Sequence, residues 1–291
     1  LQDYPEVKLC KISTPYPFPE KFVLSCLEGV DEVICLEELS PFIEAEVTKL
    51  IGKHRLNIKV YGKESGYVKT SGENSADYVA KVLSDFLKIP SQEAGIYLGD
   101  MPDLPVRPPV LCAGCPHRAS FYAVKKAMEG KNAYFCGDIG CYTLGNAMPL
   151  DMVDTCLCMG AGITMAQGFH WVDKEGTCFA FVGDSTFFAS GMTGIVNAVY
   201  NEADMILCVL DNSTTAMTGH QPHPGTGKNM MGDIVDKISI EHILEGMGVK
   251  KIVTVNPLDL NKSVEVIKDC ASLPGVKAII FKSPCIALFK P

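Results

Sequence analysis

The chain has 291 residues, 47% of them hydrophobic, with 34 acidic residues against 26 Lys and Arg and a formal net charge of −8. That length and apolar content suit one large or two ordinary domains with real cores, and an acidic balance without a basic cluster disfavours a nucleic-acid partner. No apolar run approaches the ~20 residues that cross a bilayer, no signal peptide opens the sequence, and thirteen cysteines in a chain this long do not make a secreted disulfide scaffold, so a reducing, cytoplasmic setting is expected.

In chain order, residues 7–13 predict a strand, 20–28 a helix and 31–37 a strand. A helix over 41–53 has Ser40 as its N-cap, followed by a strand at 58–61 and a helix at 75–87. Apolar strands alternating with amphipathic helices imply βαβ units and a parallel sheet. Pro90, Gly95, Gly99, Pro102, Pro105, Pro108 and Pro109 then mark a linker over 89–109. It separates a domain of residues 1–88 from one of residues 110–291. Beyond it come a helix at 117–129, a strand at 133–136 and a helix at 161–171. A strand at 178–182, a helix at 189–201 and a strand at 205–210 follow. The chain closes with a helix at 240–247, a strand at 252–255, a helix at 258–273 and a strand at 278–281. The expected architecture is α/β, two doubly wound parallel-sheet domains, with the chemistry in the second. Leu1 directly precedes an expected strand and Pro291 directly follows another, which reads as a piece of a longer protein.

Two strand ends carry the chemistry. The strand at 178–182 runs into Gly183-Asp184-Ser185, and that at 205–210 into Asp211-Asn212-Ser213-Thr214. Open parallel sheets collect ligands at the carboxyl ends of their strands. An Asp and an Asn there can grip one hard cation through oxygen, and a divalent ion with few protein ligands usually bridges to phosphates. The arrangement reads as a magnesium–diphosphate clamp. Gly137 and Gly140 are consistent with close backbone approach to a ligand. Asp138, between them, either helps hold a cofactor or caps the turn.

The cysteines fall into two sets. Cys35, Cys178 and Cys208 lie inside apolar strands and read as small buried hydrophobes. Cys112, Cys115, Cys141 and Cys285 lie at turns beside strand or helix ends. Four such thiolates suit a four-iron cluster or a tetrahedral zinc, and Cys112 and Cys115 alone would suit a redox pair. His117 reads as a helix N-terminal residue and Glu37-Glu38 as a solvated pair. His220 and His223 lie in a Gly- and Pro-rich loop beside the clamp, and histidine suits proton transfer near neutral pH. His220 is the candidate for acid–base or substrate contact, ahead of His223.

Gly183-Asp184-Ser185 with the Asn212 turn resembles the diphosphate-binding signature of thiamine diphosphate enzymes, with Ser185 where a third Gly is commoner. The run from Thr215-Ala216-Met217-Thr218-Gly219-His220-Gln221 to Gly227 is similar to the corresponding loop of 2-oxoacid:ferredoxin oxidoreductases, specifically of indolepyruvate ferredoxin oxidoreductase alpha subunits. Cys112-Ala113-Gly114-Cys115-Pro116-His117, Gly137-Asp138-Ile139-Gly140-Cys141, Tyr16-Pro17-Phe18-Pro19 and Glu37-Glu38-Leu39 fit the same family.

The resemblance implies a transketolase C-terminal-like domain followed by a thiamine diphosphate-binding domain. It implies magnesium held by the Asp184 carboxylate, the Asn212 amide oxygen and the Thr214 carbonyl. The cofactor would be lined by Gly137, Asp138, Gly140, Gly183, Ser185, Met217 and Thr218, with Met217 wedged between its rings. Cys112, Cys115, Cys141 and Cys285 would hold a [4Fe–4S] cluster. The implied activity is oxidative decarboxylation of aryl 2-oxoacids such as indolepyruvate, giving acyl-CoA from coenzyme A and electrons for ferredoxin. The chain alone would be incomplete. It would need a pyrimidine-binding domain that supplies the activating glutamate, a second (beta) subunit and an oligomeric setting. The competing readings are a non-oxidative thiamine diphosphate decarboxylase or synthase, and a zinc-binding non-catalytic subunit.

Overall fold

Segments rich in Val, Ile and Phe pair as strands, and segments with apolar residues three to four apart cover them as helices. The computed structural model describes residues 4–90 and 104–289 and divides between Leu104 and Pro105 into two compact units. Most of the expected linker, residues 91–103, lies outside the described residues.

The first unit contains α1 (Glu20–Leu27), β1 (Glu32–Ile34), α2 (Phe42–His54), β2 (Lys59–Tyr61) and α3 (Ala76–Leu87). Strands β1 and β2 pair in parallel. Val23, Leu27, Val47, Leu50 and Ile51 pack with Cys35 into one core. The strand expected over 7–13 is not formed among the described residues; Ile12 packs on the first core as part of an irregular segment, and Leu9 stays exposed. Ser40 does not cap α2 with its side chain. The cap position belongs to Pro41, and the Glu37 carboxylate accepts from Ile43 N at 2.8 Å and Glu44 N at 2.9 Å. A carboxylate satisfies two free helix N–H groups and also opposes the positive end of the helix dipole. Glu38 accepts from Asn74 N at 2.8 Å, so the two glutamates are structural partners rather than a solvated pair.

The second unit opens with α4 (Pro116–Ala127) and β3 (Ala133–Gly137), followed by a 3₁₀ turn (Cys141–Asn146) and β4 (Thr155–Cys156). Next come α5 (Ala161–Val172) and β5 (Thr177–Gly183). A continuous helical run follows: α6 (Asp184–Thr186), a π-turn (Phe187–Gly191) and α7 (Met192–Tyr200). The unit finishes with β6 (Met205–Asp211), α8 (Ile240–Gly246), β7 (Lys251–Val255), α9 (Leu260–Ala271), β8 (Val276–Lys282) and a 3₁₀ turn (Ile286–Phe289). The sheet order is β4-β3-β5-β6-β8-β7, every pair parallel. Helix begins at Asp184 itself, five residues before the expected start, so the acidic residue sits in the first helical turn.

Side-chain alternation sends successive strand residues to opposite faces. Phe179 and Phe181 of β5, Ile206 and Leu210 of β6 and Ile279 of β8 pack on one face with α4 and α9. Ala180, Val182, Leu207, Val209 and Ile280 pack on the other with α5, α7 and α8. Both faces are covered, as parallel sheets require. Burying each such large side chain is worth about 1.5–3 kcal/mol, against about 0.5–1.5 kcal/mol for an ordinary hydrogen bond. The sheet therefore fixes where the strand ends lie, and the polar groups there are set by it. The chain passes from β3 to β4 on one side and then to β5 on the other, so a topological switch lies between β3 and β5. No helix among the described residues is long and apolar enough to cross a membrane.

Glu37→Ala is expected to destabilise the first unit by about 1 kcal/mol, the cost of losing a helix cap. Urea unfolding read by circular dichroism checks this.

Candidate functional site

Ligand crevices in open α/β sheets form beyond the carboxyl ends of strands at the switch point. Here the residues following β3 and β5 are Asp138 and Asp184, and Asn212 follows β6. Asp184 is buried. Its Oδ1 accepts from Ser185 N at 2.8 Å and its Oδ2 from Ser213 N at 2.8 Å. The same Ser213 N–H reaches Asp211 Oδ1 at 3.0 Å, and Ser213 takes a left-handed φ of 62° to do so. One donor thus ties the end of β5 to the turn after β6.

Asn212 is also buried, and its orientation is fixed. Its Nδ2 lies 3.3 Å from His117 Nε2, while its Oδ1 accepts from Thr214 N at 3.3 Å. Burial lowers the His117 pKa to about 4, so the ring is neutral at neutral pH and its Nε2 can accept from the amide nitrogen. The Thr214 carbonyl accepts from Ala216 N at 3.0 Å, which leaves one lone pair. Ser213 thus ties Asp184 to the Asn212–Thr214 turn, which together offer a carboxylate, an amide and a carbonyl. This donor set matches a hard, oxygen-seeking cation.

His223 also reaches this place, although sequence ordering put His220 first. It is buried, and its Nε2 lies 3.1 Å from Asp184 Oδ2 but off the line of a hydrogen bond, so the nitrogen has no partner. An unpaired buried donor costs about 1–3 kcal/mol, which a bound acceptor would relieve. His220 sits at the exposed tip of a short hairpin closed by Thr215 and Gln221. Its Nδ1 is 3.4 Å from Thr214 Oγ1. Met217 and Thr218 share that exposed tip, with the Thr218 hydroxyl bonded to Gln221 Oε1 at 2.6 Å.

Asp138 is fully buried, with both oxygens occupied: Tyr142 OH donates to Oδ1, and Gly160 N to Oδ2 at 2.7 Å. Burial raises its pKa. Tyr142 also bonds Thr186 Oγ1 at 3.2 Å. A Cβ on Gly140 or Gly183 would fall 2.3 or 2.8 Å from the Tyr142 ring, and one on Gly137 would fall 2.8 Å from Val153. The room these glycines leave is filled by the chain's own side chains. Together they build the floor beneath Asp184.

The four turn cysteines gather nearby. Cys115 caps α4, Cys141 opens the 3₁₀ turn, and Cys285 N donates to the Asn212 carbonyl at 2.9 Å. Arg118 pins the Cys112 loop through the Leu111 and Cys112 carbonyls. Burial raises the Cys141 pKa, and the charges of Cys115, Cys285 and Cys112 raise it further. Burial likewise raises Cys115, with Cys112 and Cys285 adding to it. Among the described residues, no three His, Cys, Asp or Glu side chains converge on one metal ion. All thirteen cysteines are unpaired.

Residues 138–281 match the family "Thiamine pyrophosphate enzyme, C-terminal TPP binding domain". The indolepyruvate oxidoreductase subunit IorA of Methanothermobacter thermautotrophicus is 41% identical over 286 residues, covering 97% of this chain and 46% of that protein. The IorA subunit of Archaeoglobus fulgidus is 40% identical over 285 residues, covering 96% and 45%. The chain belongs to the IorA family of indolepyruvate oxidoreductase subunits. It spans about half the length of these IorA relatives. A solved structure of 2-oxoglutarate:ferredoxin oxidoreductase from Magnetococcus marinus, with 2-oxoglutarate, coenzyme A and succinyl-CoA bound, shares the fold. It aligns with a TM-score of 0.52 and 18% identity over 62% of this chain and 65% of that one.

Asp211 makes the stability of the second unit depend on pH. Burial raises its pKa first, and the neighbouring Asp184 charge raises it further. A carboxyl whose folded pKa is raised adds no cost below its unfolded pKa and destabilises as pH climbs through the folded value. Asp211→Asn keeps the acceptor for Ser213 and removes the charge. In chelator it is expected to melt higher than wild type at neutral pH, with the advantage vanishing on acidification through the carboxylate range. Thermal melts across pH check the sign.

Proposed function

We propose that the second unit binds the diphosphate of thiamine diphosphate through magnesium, held by Asp184, Asn212 and the Thr214 carbonyl. We further propose that the chain is the diphosphate-binding part of an enzyme that oxidatively decarboxylates aryl 2-oxoacids to acyl-CoA and passes electrons to ferredoxin. What supports this is the Ser213 tie between Asp184 and the Asn212–Thr214 turn at the switch crevice, beside a buried His223 nitrogen that makes no hydrogen bond. When bound, thiamine diphosphate supplies the electron sink for loss of carbon dioxide. The chain's own residues hold and orient it: the Ser213 N–H fixes Asp184, His117 fixes the Asn212 amide, and Tyr142 with Asp138 supports the turn from below.

We assign the four cysteines to a [4Fe–4S] cluster: Cys115, Cys285 and Cys112 lie close enough for their charges to raise the Cys141 pKa, and four thiolates suit such a centre. The backbone bond from Cys285 to Asn212 links one of these cysteine segments to the proposed cofactor turn, and a cluster bound there would supply a one-electron acceptor beside it. The activating glutamate, a pyrimidine-binding domain and a beta subunit are assigned to the rest of the assembly, in a cytoplasmic setting.

Calorimetric titration of the full-length subunit with its partner, purified without oxygen, tests the clamp. Thiamine diphosphate is expected to bind only with magnesium. Asp184→Ala and Asn212→Ala are each expected to weaken it by at least about 100-fold, more than the 10–100-fold cost of an outer-shell partner. Binding that ignores magnesium and both substitutions would overturn the reading. For the cysteines, Cys141→Ser is expected to lose about four irons per chain relative to wild type. Zinc in place of that iron would favour the non-catalytic alternative, and full magnesium-dependent binding without that iron would favour the non-oxidative one.

A further inference from the structure

We propose that His223 is a phosphate-reading residue: as a neutral ring held in one tautomer, it donates its Nε2 proton to a phosphate oxygen of thiamine diphosphate. The inference rests on the clamp proposed above and adds a ligand contact to it.

Three features fix the ring. It is buried. It stacks on Phe188, with centroids 5.7 Å apart and planes 29° apart. Its Nδ1 accepts from Gly225 N at 3.2 Å. A ring nitrogen that accepts carries no proton, so the neutral ring places its proton on Nε2. Gly225 permits this approach, since a Cβ there would come within 3.1 Å of Phe188 Cε2 and 3.2 Å of His223 Cε1.

The donor so fixed has no acceptor. Nε2 lies 3.1 Å from Asp184 Oδ2, but the angle is wrong and Oδ2 already takes the Ser213 N–H. Buried polar groups in folded proteins are paired, and the other two unpartnered side-chain atoms among the described residues, on Asn74 and Thr155, do not touch Asp184. A protonated nitrogen cannot ligate magnesium, so the acceptor has to be an anion beside the metal ligand. A metal-bound phosphate oxygen is such an anion, and hydrogen bonds to charged acceptors are the stronger kind.

The test uses the full-length subunit with its partner and titrates thiamine diphosphate at saturating magnesium. His223→Phe keeps the stacking and removes the donor, and is expected to weaken binding about 10- to 100-fold. His223→Gln, which returns an N–H near Nε2, is expected to recover part of the loss. Gly225→Ala keeps the imidazole but displaces it, and is expected to weaken binding as well, so the test survives if the Phe variant fails to fold. The magnesium midpoint at saturating thiamine diphosphate is expected to stay unchanged in all three. Unchanged thiamine diphosphate affinity in the folded Phe variant, or in the Ala variant should the Phe variant not fold, would overturn the proposal. So would a loss confined to the magnesium midpoint, which would make His223 a metal ligand. If wild type itself ignores thiamine diphosphate, the clamp reading fails and takes this inference with it.

Discussion

One backbone N–H, that of Ser213, lies between two carboxylates and holds the end of β5 to the turn after β6. The rest of the site depends on it. Asp184 and Asp211 stand close enough for the charge of one to raise the pKa of the other, and neither is well solvated. Two buried negative groups sharing one donor are under-compensated without a cation. The exposed Lys282 ammonium, 3.6 Å from Asp211, is a screened partner of small value. The strands can carry this tension because their fully buried side chains contribute several times more than the polar groups cost. A divalent ion at Asp184 would remove the imbalance, so the charge arrangement and the donor set point to the same occupant.

The same turn connects two chemistries. Asn212 offers its amide to His117 on one side, and its carbonyl takes the Cys285 N–H on the other. His117 lies two residues beyond Cys115, so the Cys112–Cys115 loop and the Cys285 segment both lean on the residue expected to touch the metal. Displacing either cysteine segment would move the Asn212 oxygen. In the proposed function this coupling would join the cysteine centre to the diphosphate clamp through short hydrogen-bonded connections.

Much of this was legible in the sequence, for reasons that differ residue by residue. Strands β5 and β6 read easily because both are continuous apolar runs bounded by turn residues, as strands buried on two faces must be. Their ends then placed Asp184 and Asn212 at the crevice. The segment 7–13 reads as a strand from its apolar residues, yet among the described residues only β1 and β2 pair in the first unit, and Ile12 reaches the core from irregular backbone. Glu37 looked solvated because its partners, the Ile43 and Glu44 N–H groups, are backbone and leave no side-chain signal. The early helix start at Asp184 was hidden by glycine and serine, which read as loop. His223 was ranked below His220 because both lie in one Gly- and Pro-rich stretch. Only the turn at His220, with its left-handed φ of 64°, sends one ring outward and carries the other back beneath the strands. The Pro224-Gly225 pair was the available clue, since a glycine beside a histidine allows the backbone to approach the ring.

The site is built in two grades of rigidity, and the division follows the chemistry it has to do. Asp184, Asn212, Thr214 and His223 are buried, the first three bonded within the turns at the strand ends and His223 held by Gly225 and Phe188. Groups that grip a metal diphosphate lose affinity if they must first be ordered, so preorganisation is best placed there. Met217, Thr218 and His220 stand on an exposed hairpin whose tip is held only by short local bonds. A hydrophobic side chain such as Met217 gains nothing from water on that tip. Its stabilisation has to come from whatever covers the hairpin, whether the organic rings of a cofactor or another domain. On the proposed function, the buried half would grip the diphosphate, and the exposed half would be completed by the cofactor rings or by another domain.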